Sequence, residues 1–245
     1  MKTIVYLLFF LIAIFLYDCS HTGNQPNGKT DTVNKKVASI DCPLMKNGVM
    51  DTQNMRPFAE VEKYIEFLER KDREIWQKPG DVISAMKLKG NETLADVGAG
   101  SGYFSFRFDS VLTKGEVIAI DIEPEMIRHI HHKVMASGIK NMNVILASKD
   151  DPEVPAKVDI VFICDVLHHI KNRSAWLAKL NSEMEKGAKL VLIEFKEGKL
   201  PQGPPENIKI SGKEMVSLVS NAGFTLVKEN KTLLPYQNYF EFEKK

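Results

Sequence analysis

The stretch Leu94-Ala95-Asp96-Val97-Gly98-Ala99-Gly100-Ser101-Gly102-Tyr103 decides how the rest of this chain is read. Thr93 to Val97 predicts a strand, and Tyr103 to Leu112 predicts a helix. Glycines between a strand and a helix let the backbone turn tightly and approach a bound molecule. Their spacing discriminates among ligands. A dinucleotide fingerprint is G-x-G-x-x-G, and its last glycine, counted from Gly98, would fall at Tyr103. The pattern is instead G-x-G-x-G with Asp96 two residues ahead, which argues against a nicotinamide-dependent oxidoreductase.

Outward from this loop, strand and helix alternate. Strands are predicted over Glu116 to Asp121, Asn143 to Ala147, Val158 to Cys164 and Leu190 to Phe195. Helices are predicted over Pro124 to Ser137, Arg173 to Met184 and Ser211 to Ala222, followed by strands Phe224 to Glu229 and Tyr236 to Phe242. Upstream, Phe58, Val61, Ile65, Leu68 and Ile75 recur at helical spacing, predicting one helix from Pro57 that ends at Trp76-Gln77-Lys78-Pro79. Such alternation means an α/β fold with crossover helices around a mostly parallel sheet.

Further motifs follow in order. Val117 to Met126 reads VIAIDIEPEM, with Asp121 closing its strand, and Val158 to Ile170 reads VDIVFICDVLHHI, with Asp165 at the strand's carboxyl end. With the glycine loop, these segments resemble the motifs of class I S-adenosylmethionine-dependent methyltransferases over roughly residues 78 to 245. The resemblance implies a Rossmann-like, doubly wound sheet of about seven strands with an antiparallel last strand. It implies S-adenosylmethionine as cofactor, cradled by Gly98, Ala99, Gly100, Ser101, Gly102 and Tyr103. Asp96 would bear on the cofactor's ammonium group, Asp121 would take both ribose hydroxyls and Ile122 would lie against the adenine. A carboxylate suits the ribose because it accepts two hydrogen bonds in a fork. Many relatives carry Gly-Asp after the third strand; here Ala147-Ser148-Lys149-Asp150 stands there, and Asp150 is the candidate for the adenine amine. Asp165 would face the site.

An activated methyl needs mainly an in-line nucleophile, and a general base helps when that nucleophile is a hydroxyl. His168, with Asp165 one turn away, is the candidate for that role, and His169 stands beside it. Trp76, Tyr103 and Tyr236 are candidates for an acceptor pocket, and Gly203-Pro204-Pro205 and Leu234-Pro235-Tyr236-Gln237 fall where substrate-side loops lie in this fold. His129 and His132 share a helix face, but a solvated face explains them as well as a metal does, and no metal site is expected.

The net charge of +1 excludes the strong basic excess of a broad nucleic-acid surface, so a small-molecule acceptor is expected. Cys19, Cys42 and Cys164 are too few, and odd in number, for a disulfide framework. Ile4 to Tyr17 is an unbroken apolar run after Lys2, shorter than the roughly 20 residues that span a bilayer comfortably. It reads as a targeting segment, and its end at Leu16-Tyr17-Asp18-Cys19 resembles a bacterial lipoprotein signal, although Asp18 stands where a small residue is expected. An uncleaved anchor and a plain signal peptide are the alternatives. The chain then divides into a signal over 1–19, a polar tether over 20–56 and a methyltransferase domain with an N-terminal helix over 57–245. The expected place is the bacterial cell envelope, held to the membrane through Cys19. The expected function is methyl transfer to a small molecule; the alternative is a non-catalytic binding protein of the same fold.

Overall fold

The computed structural model describes residues 45–46, 49–50 and 58–245. The signal segment, Cys19, Cys42 and most of the tether lie outside the described residues. A ribbon within the tether range pairs β1 (Met45–Lys46) antiparallel with β2 (Val49–Met50).

The larger sheet has seven strands in the order β5-β4-β3-β6-β7-β9-β8. These are β3 (Thr93–Val97), β4 (Glu116–Asp121), β5 (Met142–Leu146), β6 (Ile160–Cys164), β7 (Lys189–Phe195), β8 (Phe224–Asn230) and β9 (Gln237–Lys244). The β3–β4, β3–β6, β4–β5 and β6–β7 pairs are parallel, and β9 runs antiparallel to both its neighbours. The order reverses between β4 and β6, on either side of β3, and ligands of open α/β sheets bind outside the carboxyl ends of strands at such a point.

Each central strand is apolar on both faces because helices cover both. Leu190 and Leu192 of β7 pack with Leu177 and Leu180 of α6 (Arg173–Glu183) and with Met215 and Val219 of α7 (Gly212–Asn221). Val191 and Ile193, one step out of phase, join the opposite cluster. There they share a core with Phe108 of α4 (Ser105–Val111) and with Ile130 and Val134 of α5 (Pro124–Ser137). Full burial of a side chain such as Phe108 stabilises by about 1.5–3 kcal/mol.

The upstream segment departs from expectation. The single helix predicted from Pro57 to Ile75 is two helices, α1 (Phe58–Leu68) and α2 (Arg73–Gln77), and α3 (Pro79–Met86) follows unforeseen. Ile75 matched the helical spacing, yet it is 76% exposed, so its place in the apolar series is coincidental. Lys78 takes a left-handed φ of 43°, which ends α2, and Pro79 opens α3 at a position where its missing N–H costs nothing. Val82 and Met86 then anchor α3 in the core.

Candidate cofactor and active site

The glycine loop leaves β3 under tight control. The amides of Gly98 and Ala99 both donate to the Ile120 carbonyl, at 2.8 and 3.0 Å, tying the loop to the end of β4. Gly98, Gly100 and Gly102 all have positive φ, where a side chain is strained. Space is short as well. A β-carbon at Gly102 would meet Phe106 at 2.7 Å, and one at Gly100 would stand 3.1 Å from Leu68 at the end of α1. The first helix therefore roofs the loop.

Asp121 ends β4 beside the loop. Its Oδ2 accepts from the Gly100 amide at 2.8 Å and its Oδ1 from the Glu123 amide at 2.9 Å. The carboxylate is thus oriented by main-chain donors on both sides. Ile122, next in sequence, is 53% exposed. Asp150 stands exposed in the loop after β5.

Asp96 is buried under the loop. Its Oδ2 accepts from the Ser105 hydroxyl at 2.5 Å, and burial, with the Asp121 charge adding, pushes its carboxyl up to about 7. The Ser105 bond and the Arg73 charge pull the other way without prevailing.

At the carboxyl end of β6 the chain builds a buried polar cluster. Asp165 adopts a left-handed φ of 59°, an uncommon conformation for a residue other than glycine. Its amide donates to the Ile193 carbonyl at 2.9 Å. Its carboxylate receives the carboxamides of Gln77, at 3.2 Å, and of Gln237, at 2.7 and 2.8 Å. The Gln77 nitrogen also donates to the Cys164 sulfur at 2.8 Å. Burial and the nearby Glu194 charge push the Asp165 carboxyl up to about 7. Beyond it, His168 Nδ1 lies 2.8 Å from Glu194 Oε2, both side chains almost wholly enclosed. Burial disfavours a charged His168, but the bond to Glu194 and its charge outweigh that and raise its pKa.

Arg73 links α2 to this cluster. It donates to the side-chain amide oxygen of Gln77 and to the Leu68 main-chain carbonyl, the latter at 2.7 Å, and stacks its guanidinium 3.9 Å from the Tyr103 ring centre. Arg107 stands 3.9 Å from the same ring, and the Tyr103 hydroxyl donates to Glu74 at 2.9 Å. Tyr103 thus closes against Arg73 and Glu74 of α2. Trp76 does meet Tyr236, with ring centres 6.3 Å apart, and also Phe195, at 5.8 Å. His129 lies 3.5 Å from Glu69, which Lys133 also pairs at 2.9 Å.

The arrangement fits S-adenosylmethionine. Three positive-φ glycines keep the loop's main chain free of side chains, and β-carbons there would crowd Val166, Leu68 and Phe106. The Ser101 hydroxyl beside it is buried and, among the described residues, lacks a partner. The acids Asp96, Asp121 and Asp165 suit a ligand that carries a sulfonium and an ammonium.

Comparison with known proteins agrees. Residues 88–240 match the family model described as a methyltransferase domain. The chain belongs to this family. Its members are S-adenosylmethionine-dependent methyltransferases. The methyltransferase domain is 30% identical over 124 residues to a tRNA U34 carboxymethyltransferase of Alteromonas mediterranea, a match covering 48% of this chain and 36% of that protein. It is 28% identical over 103 residues to a ubiquinone/menaquinone biosynthesis C-methyltransferase of Shewanella sp. (strain W3-18-1), covering 41% of each. The matches thus span about two fifths of these curated relatives. A SAM-dependent methyltransferase from Aquifex aeolicus superposes with a TM-score of 0.69 at 25% identity, covering 74% of this chain and 96% of that one.

The structure gathers Asp96, the loop from Gly98 to Gly102, Asp121, Asp165 and His168 around the carboxyl edge of the sheet. Sequence reasoning missed Arg73, Gln77, Glu194 and Gln237 as site residues. Gln77 and Gln237 stood inside the motifs noted around Trp76 and Tyr236, so their position was visible but not their partner. Glu194 carried a usable signal: a lone acid in the apolar run Leu190 to Phe195, which is rarely buried unless paired.

Proposed function

We propose that this chain transfers the methyl group of S-adenosylmethionine to a hydroxyl of a small, uncharged acceptor, with His168 as general base. The buried His168–Glu194 pair carries this reading. Glu194 accepts a hydrogen bond from Nδ1–H, which leaves Nε2 as the basic nitrogen. A carboxylate behind the ring also stabilises the imidazolium that forms when the acceptor proton arrives. The cofactor supplies a methyl group already activated by its sulfonium. The chain's own task is to bind, align and deprotonate, and alignment alone is worth on the order of 7–11 kcal/mol of barrier.

For the cofactor we assign the loop Gly98 to Tyr103, with Asp96 and Asp165 toward its cationic end, Asp121 toward the ribose, and Ile122 and Asp150 toward the adenine. The near-zero net charge favours a small molecule over a nucleic acid as acceptor. The apolar run before Cys19 supports attachment to the cell envelope, and loss of lipid mass in a Cys19→Ser variant tests it.

The deciding experiment pairs calorimetry with radiolabelled methyl transfer. The full chain should bind S-adenosylmethionine and its demethylated product, and should label small molecules extracted from bacteria but not tRNA. His168→Ala should keep cofactor binding and lose labelling. Labelled tRNA would overturn the acceptor class, and failure to bind the cofactor would overturn the reading altogether.

A further inference from the structure

Trp76 and Gln237 each hold one buried polar atom that nothing answers among the described residues. Gln237 is fully buried; its nitrogen is committed to Asp165, while its Oε1 has no partner among the described residues. Trp76 is 9% exposed, and its Nε1–H likewise has none. A buried polar atom without a partner costs about 1–3 kcal/mol. Both belong to segments that hold Asp165, since Gln237 bonds it directly and Trp76 precedes Gln77, which bonds it too, so one molecule bound beside Asp165 can answer both.

The surroundings define what that is. Trp76 faces Phe195 and Tyr236, whose neighbour in sequence is Gln237. A β-carbon at Gly203 would stand 2.5 Å from the Phe195 ring, so Gly203 packs directly against this cluster. Arg70 joins it, bonding Gln202 and standing 6.0 Å from the Trp76 ring. Gln237 touches Asp165, which places the cluster beside the His168–Glu194 pair. The acids Asp165 and Glu194 on that side disfavour an anionic occupant.

We propose that Trp76 and Gln237 read the methyl acceptor, and that the acceptor is a flat, unsaturated, uncharged molecule with a hydrogen-bond donor at one edge and an acceptor atom at another. Gln237 Oε1 receives the donor, Trp76 Nε1–H meets the acceptor atom, and Phe195 and Tyr236 hold the ring faces. Gln77 is a positioning residue: with Gln237 it fixes the Asp165 carboxyl. The proposal rests on the methyl-transfer reading of this site.

The test uses three probes on the full chain saturated with S-adenosylhomocysteine, followed by calorimetry. 6-Hydroxyquinoline has a donor and an acceptor atom, 6-methoxyquinoline lacks the donor, and 2-naphthol lacks the ring acceptor. The expected result is that 6-hydroxyquinoline binds about tenfold more tightly than either, one hydrogen bond being worth about that much. Gln237→Leu should erase its advantage over 6-methoxyquinoline, and Trp76→Phe its advantage over 2-naphthol. Thermal melts and S-adenosylhomocysteine titration report whether each variant folds, and the wild-type ranking stands even where a variant does not. Equal binding of the three probes, no binding of any, or advantages that survive the substitutions would overturn the proposal. S-Adenosylhomocysteine binding in those cases keeps the methyltransferase reading intact; its absence in the wild type would remove that reading instead.

Discussion

A β-carbon at position 98 would stand 2.3 Å from Cγ2 of Val166. The first glycine of the cofactor loop and the residue after Asp165 therefore share one van der Waals space, and the backbone there has a φ of 77°.

Gly98→Ala should destabilise the fold by about 2–4 kcal/mol, summing left-handed strain and overpacking. Val166→Ala in the same chain should recover the packing part and leave the strain. Chemical denaturation of the two variants and their combination separates the contributions.

Glu194→Gln should lower the His168 pKa, because the bond and charge that raise it are both lost. Nuclear magnetic resonance titration of the imidazole reads this directly. Methyl transfer should fall about 10²- to 10⁴-fold, as expected for losing an effective general base, while cofactor affinity stays close to wild type. A His168 pKa unmoved by the substitution would contradict the pairing.

Asp96 and Asp165 have carboxyls raised to about 7 from an ordinary 3.8. A raised acid favours the folded state while protonated. Its contribution is full below the unfolded value near 3.8 and is lost as pH rises through about 7. The cofactor-free chain should thus lose stability across that window. Cofactor affinity should run the opposite way, since cationic groups prefer ionised acids, and binding near neutrality should release protons. Calorimetry in buffers of differing ionisation enthalpy counts them.

Asp121→Asn should weaken S-adenosylhomocysteine binding, charge-assisted bonds being worth about 1.5–3 kcal/mol each. It should also lower the melting temperature, because an amide nitrogen would face the Gly100 or Glu123 N–H that now donates to the carboxylate. Titration and thermal melts on one preparation check both.

The central sheet was legible because local signals and tertiary demands coincide there. Apolar runs such as Val161 to Ile163 need two covered faces, and the glycine spacing needs its turn. The upstream helices were misjudged because Ile75 imitates a periodic core position while facing solvent. Asp165 and His168 could be named from their place after β6. Gln77 and Gln237 are 160 residues apart and converge on Asp165 only because β9 lies next to β7, a pairing with no local signature.

The position of β9 has a consequence for how the protein is made. It is synthesised after every other strand of the sheet, yet it lies between β7 and β8. While the nascent chain emerges, β8 has no strand beside it and the edge of β7 stays open. Gln237 begins the strand that fills the gap. The ordering of the sheet and the last contact to Asp165 therefore arrive together, so a partly made chain has neither a closed sheet nor a finished site.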